Sequence, residues 1–155
     1  MDRSQATLLI AELGQRLGVS DMALSNGSCL LSLDSGTVVV SIRHDEPSGT
    51  FELMAGHDDV ELSPARLAKA LAANFCWRPV DGALFSLDPI SRRLVLHRTC
   101  SGDGLDVAAL MTLLDRFVKH AMAWTKILAE TADEEGEEAA AQLEPRRLSM
   151  AQERA

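Results

Sequence analysis

The chain has 155 residues, of which 46% are hydrophobic, and a net charge of −8. That length suits one compact domain, and the apolar content provides a core, which argues against disorder for most of the chain. The negative balance repels nucleic acid, and no predicted element gathers the basic residues.

The first periodic stretch, "QATLLIAELGQRLGV", predicts a helix over 4–17, with Gly18 as its stop. Ala6, Leu9, Ile10, Leu13 and Leu17 share one stripe at about 100° of rotation per residue. Leu8 lies nearly opposite, among Glu12, Gln15 and Arg16. "SCLLSLD" and "GTVVVSIRH" then read as two strands joined by a tight turn at "DSG", and "TFELMA" as a third after "DEPSG". In the first strand Cys29, Leu31 and Leu33 face one way. In the second, Val38, Val40 and Ile42 do, and in the third, Phe51 and Leu53. Each opposite, polar face keeps one large apolar residue: Leu30, Val39 and Met54. The alternation favours an antiparallel meander with one covered face.

"SPARLAKALAANF" predicts the second helix, with Ser63 as cap and Pro64 in its first turn. Leu67, Leu71 and Phe75 read as its core stripe. Ala65, Ala68 and Ala72 form a flank of little bulk that permits close approach to another element, for instance the same helix of a second copy across a two-fold axis. Alanine is also simply a good helix former, so both readings stand. "ALFSLD" and "RLVLHR" form a second hairpin across "PISR". The last helix, "LDVAALMTLLDRFVKHAMAWTKILAE", follows, with Asp103 before it as a possible cap and Arg116, Lys119 and Lys126 on its wet side. The expected class is α+β, with element order α-β-β-β-α-β-β-α and a mainly antiparallel, twisted sheet flanked by helices. The domain is expected over 1–130. Residues 131–155 read as an acidic, Ala-rich extension, helical in part or disordered.

Catalytic and metal constellations are not evident. His44, His57, His97 and His120 lack the spacing of a helix-borne metal site, and the cysteines, Cys29, Cys76 and Cys100, complete none. "HDD" at His57, Asp58 and Asp59 offers metal-binding atoms, but a solvated turn explains it more simply. Cys29 in an apolar strand reads as core rather than nucleophile. The expectation is a protein that is not an enzyme and takes no cofactor and no metal. Three widely spaced cysteines suit a reducing compartment, and neither a membrane span nor a secretory signal is visible, so a cytoplasmic location without membrane insertion is expected.

The informative signal is apolar residues where polar ones would serve. Single exposed apolar residues are ordinary. Brought together, Leu8, Leu30, Val39 and Met54 would form a patch fit for binding, and an adjacent open strand edge would accept an extended peptide. "LLIAELGQRLGV", "SCLLSLDSGTVVVSI", "LSPARLAKALAANF" and "GALFSLDPISRRLVLHR" before "LDVAALMTLLDRFVKHAMAW" together resemble the small acidic chaperones of bacterial type III secretion, in the class that serves effector proteins. The resemblance implies a homodimer built near the second helix and second hairpin, here Ala65, Ala68, Ala72, Leu84 and Phe85. It implies ATP-independent binding of an effector's amino-terminal chaperone-binding segment, which is kept soluble and secretion-competent and delivered to the export apparatus, with that apparatus's ATPase a possible further partner. The client patches it implies involve the first helix and the sheet, where Leu8, Leu30, Val39 and Met54 fall. The alternative is a regulator of the same fold that sequesters a partner never exported.

Overall fold

A computed structural model describes residues 1–33, 36, 38–57, 61–76 and 80–152, with side chains described as far as Thr131 and not at Cys76. The elements run α1 (Arg3–Leu17), β1 (Ser28–Leu33), β2 (Val38–Asp45), β3 (Thr50–Gly56), α2 (Pro64–Cys76), β4 (Leu84–Leu87), β5 (Leu94–Ser101) and α3 (Val107–Gln152). This is the α-β-β-β-α-β-β-α order read from the sequence. The five strands form one antiparallel sheet in the order β1-β2-β3-β5-β4. The meander β1-β2-β3 is local. β5 returns beside β3, which leaves β1 at one edge and β4 at the other.

Alternation decides the two faces of the sheet. In β2 the residues alternate strictly between the core and the other face, with Val38, Val40, Ile42 and His44 buried. Leu31, Phe51, Leu53, Ala55, Phe85, Leu94 and Leu96 continue that inner face. α3 covers it. Val107, Leu110, Leu114, Phe117, Ala121, Trp124 and Leu128 are buried at alternating three- and four-residue intervals, a seam that stays in register with one side of the helix. α1 packs against α3 and places Ala6, Leu9, Ile10 and Leu13 in the same core. Full burial of each large apolar side chain contributes about 1.5–3 kcal/mol.

The helix ends follow local chemistry. Asp2 caps α1 by accepting the Gln5 N–H at 2.9 Å, in a reciprocal capping box. Gly18 closes it with φ 70°, a left-handed conformation that glycine adopts without strain. Ser63 Oγ accepts the Arg66 N–H at 3.3 Å, so α2 starts where the sequence places it. α3 is capped by Asp106, which accepts the Ala109 N–H at 2.8 Å. Asp103, expected in that role, lies too far before Val107 to reach the first-turn N–H groups, and it accepts from the Met1 ammonium at 3.3 Å instead. The helix also continues past Glu130, where its apolar pattern ends, to Gln152.

Candidate functional site: the outer face of the sheet

Among the described residues, α1 and α3 lie on the inner side of the sheet and α2 meets its β4 edge, so the outer face is left open. Register brings onto it residues far apart in sequence. Leu30 pairs with Ser41, Ser41 with Met54, Met54 with His97, and His97 with Leu84. One row therefore crosses all five strands, with Leu30, Met54 and Leu84 on a common surface. Neighbouring strands are about 4.8 Å apart, so the row is about 19 Å long. Val39 joins the same face two residues from Ser41, and Val95 two residues from His97. Leu30 is 73% exposed, Val39 49% and Leu84 45%, while Met54 is half-buried.

Leu8 is 72% exposed but stands on the side of α1 turned away from the core. Because α1 packs on α3, beneath the inner face, Leu8 does not join the surface of Leu30, Val39 and Met54 within the protomer. The three strand residues are brought together and the helix residue is not.

Polar side chains lace the open face. Arg43 Nε lies 3.7 Å from Glu52 Oε2, His97 Nδ1 lies 3.5 Å from Glu52 Oε1, and Ser86 Oγ is 2.8 Å from His97 Nε2. At the end of β4, Asp88 accepts from Ser91 Oγ at 2.6 Å and from the Ile90 N–H at 2.9 Å. These bonds, the hydroxyl first, hold its carboxyl below the usual aspartate value.

The two sheet edges differ. At the β4 edge, Asn74 of α2 donates from Nδ2 to the Phe85 carbonyl at 3.0 Å and accepts the Phe85 N–H at 2.7 Å, taking the place of a neighbouring strand. Among the described residues no strand pairs with the far side of β1: Ser28 exchanges backbone bonds with Ser25 there, and the edge is open beyond it. A cavity of about 600 Å³ runs beside that edge, lined in part by Val19, Met22, Ser28, Cys29 and Leu30. Cys29 borders it half-buried, and burial pushes its thiol up from the ordinary value.

α2 inverts the expected stripes. Leu71 is 67% exposed and Phe75 90%, and Leu67 is only partly covered. The buried residues are Arg66, Ala70 and Ala73. The small alanines let α2 approach α3 and β4 closely. Arg66 is satisfied inside by donating from Nε to the Leu128 carbonyl at 3.0 Å and from a terminal nitrogen to the Glu61 carbonyl. The outward face thus carries Leu71 and Phe75 beside the exposed Ala68 and Ala72, with Ala65 half-buried at its margin. Of the hairpin residues expected with them, Leu84 lies on the outer sheet face. Phe85 is turned into the protomer core, where it meets Trp124 edge-on at 5.0 Å between ring centres. Ile90, 92% exposed at the tip of the hairpin, is a surface residue the sequence reading passed over.

His57 is not part of a solvated turn. It is 2% exposed, and its Nδ1 lies 2.9 Å from Thr125 Oγ1 on α3. Asp58 and Asp59 lie outside the described residues, among which no cluster of three potential metal ligands occurs. Among the same residues no helix is long and apolar enough to cross a membrane.

Known proteins share this architecture. The ExsC–ExsE complex contains a chain that superposes with a TM-score of 0.72 at 22% identity, covering 83% of this chain and 97% of that one. The HopA1–SchA chaperone–effector complex gives 0.61 at 19% identity, over 84% and 98%. The ExoU–SpcU heterodimeric complex from the type III secretion system of Pseudomonas aeruginosa gives 0.56 at 19% identity, over 79% and 96%. No curated protein sequence matches the chain significantly. The model of the Tir chaperone protein (CesT) family matches residues 8–125, from the first helix through most of the core seam of α3. The chain therefore belongs to the Tir chaperone protein (CesT) family, the type III secretion chaperones that its pattern of elements resembles.

Proposed function

We propose that the protein is a cytoplasmic, ATP-independent chaperone that binds the amino-terminal chaperone-binding segment of a secreted effector. It keeps that segment soluble in an extended form and delivers it to the export apparatus, whose ATPase is a further partner. One observation carries this reading: the uncovered outer face of the sheet, with Leu30, Val39, Met54 and Leu84 on one surface beside an open β1 edge. Apolar side chains of a client settle on such a face, while its backbone pairs with the edge strand. The chaperone–effector composition of a structural neighbour supports the same role. Binding needs no covalent chemistry, and the reading assigns no catalytic residue and no cofactor.

The working unit in this proposal is a homodimer of domains spanning 1–130, closed through the outward face of α2. Leu71 and Phe75 supply apolar area, and Ala68 and Ala72 allow close approach. Residues 131–155 are an extension of that domain.

The test is capture of the tagged protein from its native host, with the bound segment mapped by protection from proteolysis. Recovery of a secreted protein protected near its amino terminus is the expected result. A stable partner that is never exported would instead establish a sequestering regulator.

A further inference from the structure

On the outer sheet face, where β3, β5 and β4 meet, lies a cleft of about 270 Å³ lined by Glu52, Met54, Ser86, Leu87, Asp88, Val95 and His97. Its floor is apolar, made by Met54 and Val95, with Leu87 at one end. Val95 pairs with Gly56, which adds no side chain on that flank, so the floor stays open toward β2. Two carboxylates stand in its wall, Glu52 from β3 and Asp88 from the start of the β4–β5 turn. No lysine or arginine is among the described lining residues. Arg43 lies beyond Glu52, in contact with its Oε2 at 3.7 Å and itself half-exposed to water. His97 is hydrogen-bonded to Ser86 and lies 3.5 Å from the Glu52 carboxylate.

We infer that this cleft is a subsite for one arginine or lysine side chain of the extended client segment. The inference rests on the client-binding role of the outer face. A long basic side chain matches both parts of the cleft: its methylene stem covers Met54 and Val95, and its charged head meets a carboxylate at one end, Glu52 on one side of that floor or Asp88 on the other. An acidic side chain is repelled there, and a short apolar one brings the carboxylates no counter-charge beyond the contacts Glu52 makes with Arg43 and His97. Asp88 is kept ionised by its bonds to Ser91 and Ile90, so its charge persists into acid. The net charge of −8 draws basic segments toward the molecule in addition. The client thereby acquires a register: a basic residue in the cleft, with apolar side chains on the same face of the segment reaching toward Val39 and Leu30.

The experiment uses the full chain and fluorescein-labelled peptides of sequence Val-Thr-Val-Arg-Val-Thr-Val, with the arginine retained or replaced by its neutral isostere citrulline. Anisotropy at low salt is expected to show the arginine peptide bound about tenfold more tightly, the size of one charge-assisted contact. Glu52→Gln combined with Asp88→Asn should abolish that difference and leave the citrulline peptide unaffected. The Met54 methyl resonance, assigned with Met54→Leu, should move with the arginine peptide. Equal affinity for the two peptides, or binding of neither, overturns the subsite. So does an arginine preference that survives the double substitution, which would assign the effect to overall charge. Effector capture by the native protein, measured separately, is unaffected by those outcomes and decides the chaperone role itself.

Discussion

Asn74 satisfies two backbone groups of one residue, the N–H and the carbonyl of Phe85. Asn74→Ala leaves both without their partner at a half-buried edge. It is expected to lower stability by roughly 1–3 kcal/mol, read as a lower urea midpoint with an unchanged slope. Asp88 gives a pH test. Its carboxyl is held low by Ser91 Oγ first and the Ile90 N–H second, so the turn's stabilisation is complete above the ordinary aspartate range and is lost as pH falls through the lowered value. The Asp88 carboxyl carbon should titrate below a solvated aspartate, and Ser91→Ala should move it upward. Residue by residue, the strands were readable: a period of two places Leu30, Val39 and Met54 on the outer face directly. Arg66 and Asn74 were not, because polar side chains on a helix read as the wet side. Only the carbonyls of Leu128 and Glu61, distant in sequence or in an irregular loop, make burial of Arg66 tolerable.

At the scale of elements, α1 and the sheet are separable as binding surfaces. Leu8 projects into solvent and Val39 is about half-exposed in an internal strand, so Leu8→Asp should shift stability by about 0.5 kcal/mol or less and Val39→Asp by about 1 kcal/mol. Their effects on the client should differ. Val39→Asp is expected to weaken binding of the captured effector at least about tenfold, by placing a charge in the middle of the apolar face. Leu8→Asp should matter only if the client also wraps to the helical side. Isothermal titration with each single variant measures this directly. An unchanged affinity for Val39→Asp would remove the outer sheet face from the client site. For α2 the apolar stripe was recognisable but its direction was not. Leu71 and Phe75 look like core, yet the side turned to α3 and β4 carries the small Ala70 and Ala73, with Arg66 held there by the Leu128 carbonyl. Amphipathicity states that a helix has two faces; the size of the space available chooses which one is inside.

At the scale of the molecule, exposed Leu71 and Phe75 make the protomer incomplete as a monomer in the proposed reading. Light scattering is expected to give a dimer at micromolar concentration, and Leu71→Asp with Phe75→Asp a monomer that keeps its circular dichroism. A monomeric native protein would overturn the proposed α2 interface. The sequence by itself determined the element order, the antiparallel meander, the inner faces of the strands and the family, since all of these rest on local periodicity and turn chemistry. Tertiary structure alone decided three things: that Leu30, Met54 and Leu84 fall in one row, that Leu8 stands apart from them, and that α2 turns its large side chains outward. The reason is physical. Periodicity sets the direction of a side chain relative to its own element, whereas strand order, register and close packing between elements set where that direction leads.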